Sequence, residues 1–135
     1  MTQDENRAAN GTVAGSGASP TEPLPARDGE VETYPLPEHD VVSGHPSVGS
    51  RIVRRFDEVE VGIWEMTPGS ARDVEADEVF VVLSGAASVR FDDGRETSLR
   101  TGDVMSLVKG ERTVWTVTET LRKVYVLHSD DASQE

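Results

Sequence analysis

Between Arg51 and His128 no stretch keeps its apolar residues on a helical 3.6-residue period for three turns. Short β-rich runs fill that interval instead, separated by breaks rich in Gly, Pro and Asp. About eight such runs, with turns every 8–12 residues, restrict the fold to a β-sandwich or barrel, a jelly roll among them. The expected strands are Arg51–Phe56, Val59–Met66, Glu78–Ser84, Ala87–Phe91, Arg95–Arg100, Val104–Val108, Arg112–Thr118 and Leu121–His128. Val59, Val61 and Ile63 alternate with Glu60, Gly62 and Trp64, the period of a half-buried strand. Asp92-Asp93-Gly94 is a hairpin signal, because Asp-Gly tolerates positive φ. Thr67-Pro68-Gly69-Ser70 reads as a turn, Ala71–Asp77 as an acidic loop, and Glu119-Thr120 as a further turn.

The rest of the chain is of another kind. Residues 1–30 are rich in Gly, Ala, Ser, Thr and Pro, with Val13 and Leu24 almost their only large apolar residues. They bury too little to offset ordering entropy and read as a disordered tail. Residues 31–50 read as an extended lead-in arm. Pro35 and Pro37 oppose a helix, Ser43-Gly44-His45-Pro46 is a turn, and Tyr34, Leu36, Val41 and Val42 can lie along a sheet as an edge. Residues 51–128 form the folded domain and 129–135 a frayed end.

At 135 residues the chain fits one such domain. Its net charge of −12 opposes nucleic acid and anionic lipid surfaces. The absence of cysteine removes disulfides, thiolate metal sites and cysteine nucleophiles. No run reaches a membrane span and the N-terminus is not a secretory signal, so the expected location is cytoplasmic.

Glu78, six residues and Gly85, followed by Gly102-Asp103 and Val108-Lys109-Gly110, resemble the two motifs of the cupin superfamily. Gly62–Gly69, Asp77–Gly85, Thr101–Gly110 and Thr113–Leu127 are similar to the small single-domain branch related to the cupin domain of (S)-ureidoglycine aminohydrolase. The likeness spans residues 36–128 and implies a cupin-type jelly-roll β-barrel, all-β, and a homodimer. In metal-binding cupins the motifs supply three histidines and a glutamate, a set that holds a divalent transition metal with open positions. Here Ala71–Val74 contain no histidine, Thr113 stands at the third histidine position, and only Glu78 matches. His39, His45 and His128 lie in the arm and at the C-terminal edge. No metal or other cofactor is therefore expected. Asp73, Asp77 and Glu78 could offer a hard cation a weak carboxylate site, but they read better as a solvated loop.

With Glu78 inward, alternation sends Phe80 and Val82 to the same side. A carboxylate facing an apolar interior has its pKa raised unless a cation pairs with it, and Lys123 is the candidate. Lys123 and Tyr125 share a face. Two readings stand. In one, Glu78 is an acid/base or amine-binding carboxylate, Lys123 its partner or an anion binder, and Tyr125 a hydrogen-bonding wall, with Trp64, Phe80, Thr113 and Trp115 lining a ligand pocket. In the other, Glu78 and Lys123 make a structural ion pair and both tryptophans are core. Thr113, Trp115 and Val117 share one face of their strand, and Glu65 lies opposite Trp64. The function classes to weigh are a small-metabolite-binding cupin, with or without catalysis on a nitrogen-containing or carboxylate compound, a non-catalytic sensing or accessory domain, and a dimerisation module.

Overall fold

The computed structural model describes residues 22–129. Nine strands carry nearly all of its regular structure: β1 (Tyr34–Pro35), β2 (Val41–Gly44), β3 (Ser47–Phe56), β4 (Val59–Met66), β5 (Gly69–Val74), β6 (Glu78–Phe91), β7 (Glu96–Arg100), β8 (Val104–Leu107) and β9 (Arg112–His128). They belong to one antiparallel sheet that curls into two layers. Two long strands, β6 and β9, pair along their whole length and run through both layers. The C-terminal half of β9 and the N-terminal half of β6 sit in one layer, in the order β1-β3-β4-β9-β6-β8. The other halves sit in the second, in the order β2-β5-β9-β6-β7. This is the all-β jelly-roll barrel that the strand and turn pattern implies.

Four local expectations change. Glu78–Ser84 and Ala87–Phe91 are one strand, and so are Arg112–Thr118 and Leu121–His128. Each expected break is a bend inside a paired strand, which local sequence cannot distinguish from a turn. At the bend the β6–β9 register shifts between Val82 and Ala87. As a result β6 buries Glu78, Phe80 and Val82 before it and Ala87, Val89 and Phe91 after it. Gly85 makes the crossing with φ +96°, and a Cβ there would fall 2.0 Å from the Thr120 carbonyl oxygen. The acidic loop is largely strand: β5 begins at Gly69 and pairs Ala71 with Trp115 and Asp73 with Thr113. Finally, the first strand starts at Ser47 rather than Arg51.

The lead-in forms one edge of each layer, with β1 on β3 and β2 on β5. Tyr34 and Val42 are exposed as an edge arm requires, whereas Leu36 turns into the core. A single 3-10 turn, Glu38–Asp40, follows Pro37, where the missing amide costs nothing. Of the expected tail, residues 1–21 lie outside the described residues. Pro25–Gly29 form a turn whose carbonyls at Ala26 and Gly29 accept from the Arg122 guanidinium. Among the described residues no helix is long and apolar enough to cross a membrane.

Candidate functional site

The inner face of the barrel is polar to an unusual degree. Alternation along β4 points Glu60, Trp64 and Met66 inward, so the strand buries its Glu-Gly-Trp face more deeply than Val59 and Val61. β9 contributes Thr113, Trp115, Val117, Leu121, Lys123, Tyr125 and Leu127, all buried. Phe80 and Val82 follow Glu78 inward as expected, and Asp73 enters from β5 with Glu75 just beyond it.

Lys123 Nζ lies 2.8 Å from Glu78 Oε2, and neither side chain has any exposed surface. The strands bring them together because Glu78 opens β6 and Lys123, on β9, pairs with Val82 of β6 and with Trp64 of β4. The ammonium also sits over three rings, 4.3 Å from the Phe80 centroid, 4.4 Å from Trp64 and 4.7 Å from Trp115. A desolvated ammonium against an aromatic face gains up to about 2 kcal/mol. The rings therefore replace part of the hydration that burial removes. The ammonium meets Glu78 through Oε2 alone, and Glu78 Oε1 is buried without a partner. Burial pushes the Glu78 carboxyl up, against the opposing charge of Lys123.

Tyr125 does not join this pair. Its hydroxyl donates to Glu60 Oε2 at 2.8 Å, and Glu60 Oε1 in turn takes the Arg55 Nε at 3.1 Å. Burial, followed by the charge of Glu60, holds the phenol protonated far above its ordinary range. Tyr125 is thus a donor and not a base.

A second cluster, which sequence reasoning missed, lies toward β5. Glu75 Oε2 accepts from Thr113 Oγ1 at 2.6 Å and from Trp115 Nε1 at 2.9 Å. Thr113 and Trp115, expected as pocket walls, are tied to this carboxylate. Asp73 is buried with no partner for either oxygen, and Glu75 Oε1 and Trp64 Nε1 also lack one. Burial, then repulsion from Glu75, pushes the Asp73 carboxyl well up. The sequence places Asp73 in a solvated loop, whereas its pairing with Thr113 across β5 and β9 turns it inward. Glu60 was legible once Trp64 was placed inward, being four residues away on one strand. No local signal marks Glu75. Glu65, opposite Trp64, lies on the outer face and binds Arg122 at 2.7 Å.

The residues do not fit a transition metal. Among the described residues no group of three or more His, Cys, Asp or Glu could hold an ion. Lys123 occupies the space beside Glu78, and His39, His45 and His128 are exposed at the periphery.

A cleft of about 760 Å³ opens between β7 and β8 over Phe91, Leu99 and Met105, with Arg95 and Glu111 at its rim. Glu78, Lys123 and Tyr125 do not line it. It comes near them through Met105, the register partner of Phe80.

A two-layered jelly roll crossed by two bent strands, with a few polar side chains buried among its core residues, defines a cupin-type barrel. The chain belongs to the EutQ-like cupin domain family, whose model matches residues 54–125. Solved structures agree on the fold. The EutQ protein of Clostridium difficile superposes with a TM-score of 0.57 at 22% identity, covering 71% of this chain and 81% of that one. A DUF861-family protein of unknown function from Pseudomonas syringae pv. tomato gives 0.66 at 21% identity. That match covers 75% of this chain and 45% of the Pseudomonas chain, so this chain spans less than half of that protein. A cupin superfamily protein from Desulfitobacterium hafniense gives 0.53 at 17% identity, with 62% and 78% covered. A search of curated proteins finds no match.

Proposed function

We propose that this cupin barrel binds a small polar metabolite bearing N–H donors, with the Glu78–Lys123 pair at the centre of the site. One observation carries the reading: among the described residues the interior gathers carboxyl oxygens, and an indole N–H, that no protein group satisfies. Both Asp73 oxygens, Glu75 Oε1, Glu78 Oε1 and the Trp64 Nε1 donor are buried without a hydrogen-bond partner, while Glu78 Oε2 faces the Lys123 ammonium. Native interiors satisfy nearly all such groups with protein, water or ligand. An amine- or amide-bearing molecule matches that deficit, and Glu78, raised in pKa beside a cation, is placed to exchange a proton with it. Glu78 and Lys123 are the acid/base candidates. Tyr125 acts through Glu60, while Trp64, Phe80, Thr113 and Trp115 form the wall. Met105 offers the way in from the cleft.

Trp64 and Trp115 are the only tryptophans and both face this interior, so intrinsic fluorescence reports binding directly. Titration with amines, ureides, amino acids and sugars, alongside thermal shift, tests the proposal. The expected result is a ligand that quenches fluorescence in the wild type and not in Glu78→Gln. A ligand bound equally by Glu78→Gln would remove Glu78 from the site, and no binder in the panel would count against the reading.

A second reading has its own support, because Glu78 and Lys123 show no exposed surface. In that reading the pair braces the barrel and the module is non-catalytic. A Glu78→Leu/Lys123→Met double variant that keeps both its stability and its ligand would select it.

A further inference from the structure

β7 and β8 are consecutive strands joined by the short Thr101-Gly102-Asp103 turn, yet they part into different layers. β7 pairs with the second half of β6 and β8 with the first half. Among the described residues neither strand pairs with any other, so the two layers stand open along this side. The opening is the cleft of about 760 Å³, a volume that suits a small ligand. Its floor is made of inward positions: Phe91 and Leu99, both buried, and Met105, half-buried against the core.

Cross-strand neighbours have their Cβ atoms ~5 Å apart, and one such step at each end of the floor reaches the polar interior. Phe91 is the register partner of Thr113, which pairs with Asp73 on its other side and donates to Glu75 Oε2 at 2.6 Å. Met105 is the partner of Phe80, whose ring centroid lies 4.3 Å from Lys123 Nζ. The charged residues around the cleft are Glu96, Asp103, Glu111 and Arg95. Arg95 is already taken, with Nε 2.6 Å from Asp93 Oδ2, Nη2 3.2 Å from Glu111 Oε2 and its guanidinium 4.4 Å from the Phe91 centroid. An anionic ligand would thus meet carboxylates at the rim and again inside. A wholly polar one would leave the apolar floor uncovered.

We propose that the ligand is an amphipathic amine, its ammonium directed to the Asp73 and Glu75 carboxyls and its hydrocarbon or aromatic part lying in the cleft on Phe91, Leu99 and Met105. The inference rests on the reading that unsatisfied interior oxygens receive a ligand's N–H groups, and it names the class of molecule. Lys123 already serves Glu78 Oε2, whereas both Asp73 oxygens and Glu75 Oε1 lack a donor. The carboxyls select the charge and the cleft selects the size of the apolar group. Met105, flexible and unbranched, lies at the junction and adapts to different tails. Each methylene buried there raises affinity roughly fourfold.

Calorimetric titration of the full chain with ethylamine, butylamine, hexylamine and hexanoate tests this. Affinity should rise about fourfold per methylene along the amines, and hexanoate should bind at least tenfold more weakly than hexylamine. Met105→Gln should cut the rise to below about twofold per methylene, and Asp73→Asn should weaken hexylamine about tenfold or more. Circular dichroism verifies that both variants fold, and the wild-type series decides the matter without them. A flat series, no amine binding, or hexanoate bound as tightly as hexylamine overturns the inference. So does a chain-length dependence unchanged in Met105→Gln. Hexylamine binding that survives Asp73→Asn and is lost in Glu78→Gln also overturns it, while leaving the Glu78 site standing.

Discussion

Lys123 is the residue on which the interior depends. It is the buried cation beside Glu78, and its ammonium is held by one carboxylate and three rings. Truncating one partner of a buried pair leaves the other charge unsolvated and typically costs about 3–5 kcal/mol. Lys123→Met should lose stability on that scale in urea denaturation, and adding Glu78→Leu should restore most of it. If the single variant is as stable as the wild type, the pair does not brace the barrel. Asp73 gives a pH prediction of definite sign. Its folded carboxyl titrates above the ordinary 3.8, so as pH rises past that value the unfolded chain releases a proton that the folded chain retains. Stability therefore falls as pH rises through the window up to the folded pKa, and Glu78 adds the same sign. Asp73→Asn should flatten this part of the profile, narrowing the difference in melting temperature between about pH 5 and about pH 8. An unchanged difference would mean that Asp73 gains a partner in solution.

At the scale of elements, the barrel depends on β6 and β9 bending together. Gly85 permits this because it takes φ +96° where the Thr120 carbonyl leaves no room for a Cβ. Gly85→Val should destabilise by about 2–4 kcal/mol, beyond the usual cost of a surface change, and calorimetry would show it. Equal stability would mean that the bend lies elsewhere. Gly62 has a different task. A Cβ at Gly62 would come within 2.6 Å of the Tyr125 hydroxyl, so the glycine makes space for the bond to Glu60. The strands themselves were legible as alternating runs, and the hairpin at Asp92-Asp93-Gly94 was legible from its turn residues. The continuity of β6 and β9 was not. Gly85 and Glu119-Thr120 read as turns, and only pairing between two bends in register keeps the chain extended through both.

For the whole molecule, the N-terminal turn and the barrel are joined through Arg122, which spans from Glu65 to the Ala26 and Gly29 carbonyls. Arg122→Ala should leave the barrel folded and release the turn, seen as faster hydrogen exchange at Asp28 and Gly29, whose amides bond to Pro25. Protection that does not change would place the anchor elsewhere. By itself the sequence determined the all-β class, most strand positions and which residues share a face, Phe80 and Val82 with Glu78 and Tyr125 with Lys123. Those depend on periodicity and turn chemistry, which act over a few residues. The tertiary structure alone decided which inward groups meet. Glu75 reaches Thr113 and Trp115 across about 40 residues of chain, and Tyr125 finds Glu60 rather than Glu78. It also decided that Asp73 is buried and that β7 and β8 part into different layers. These are matters of register between distant strands, set by the closing of the barrel and invisible to any local pattern.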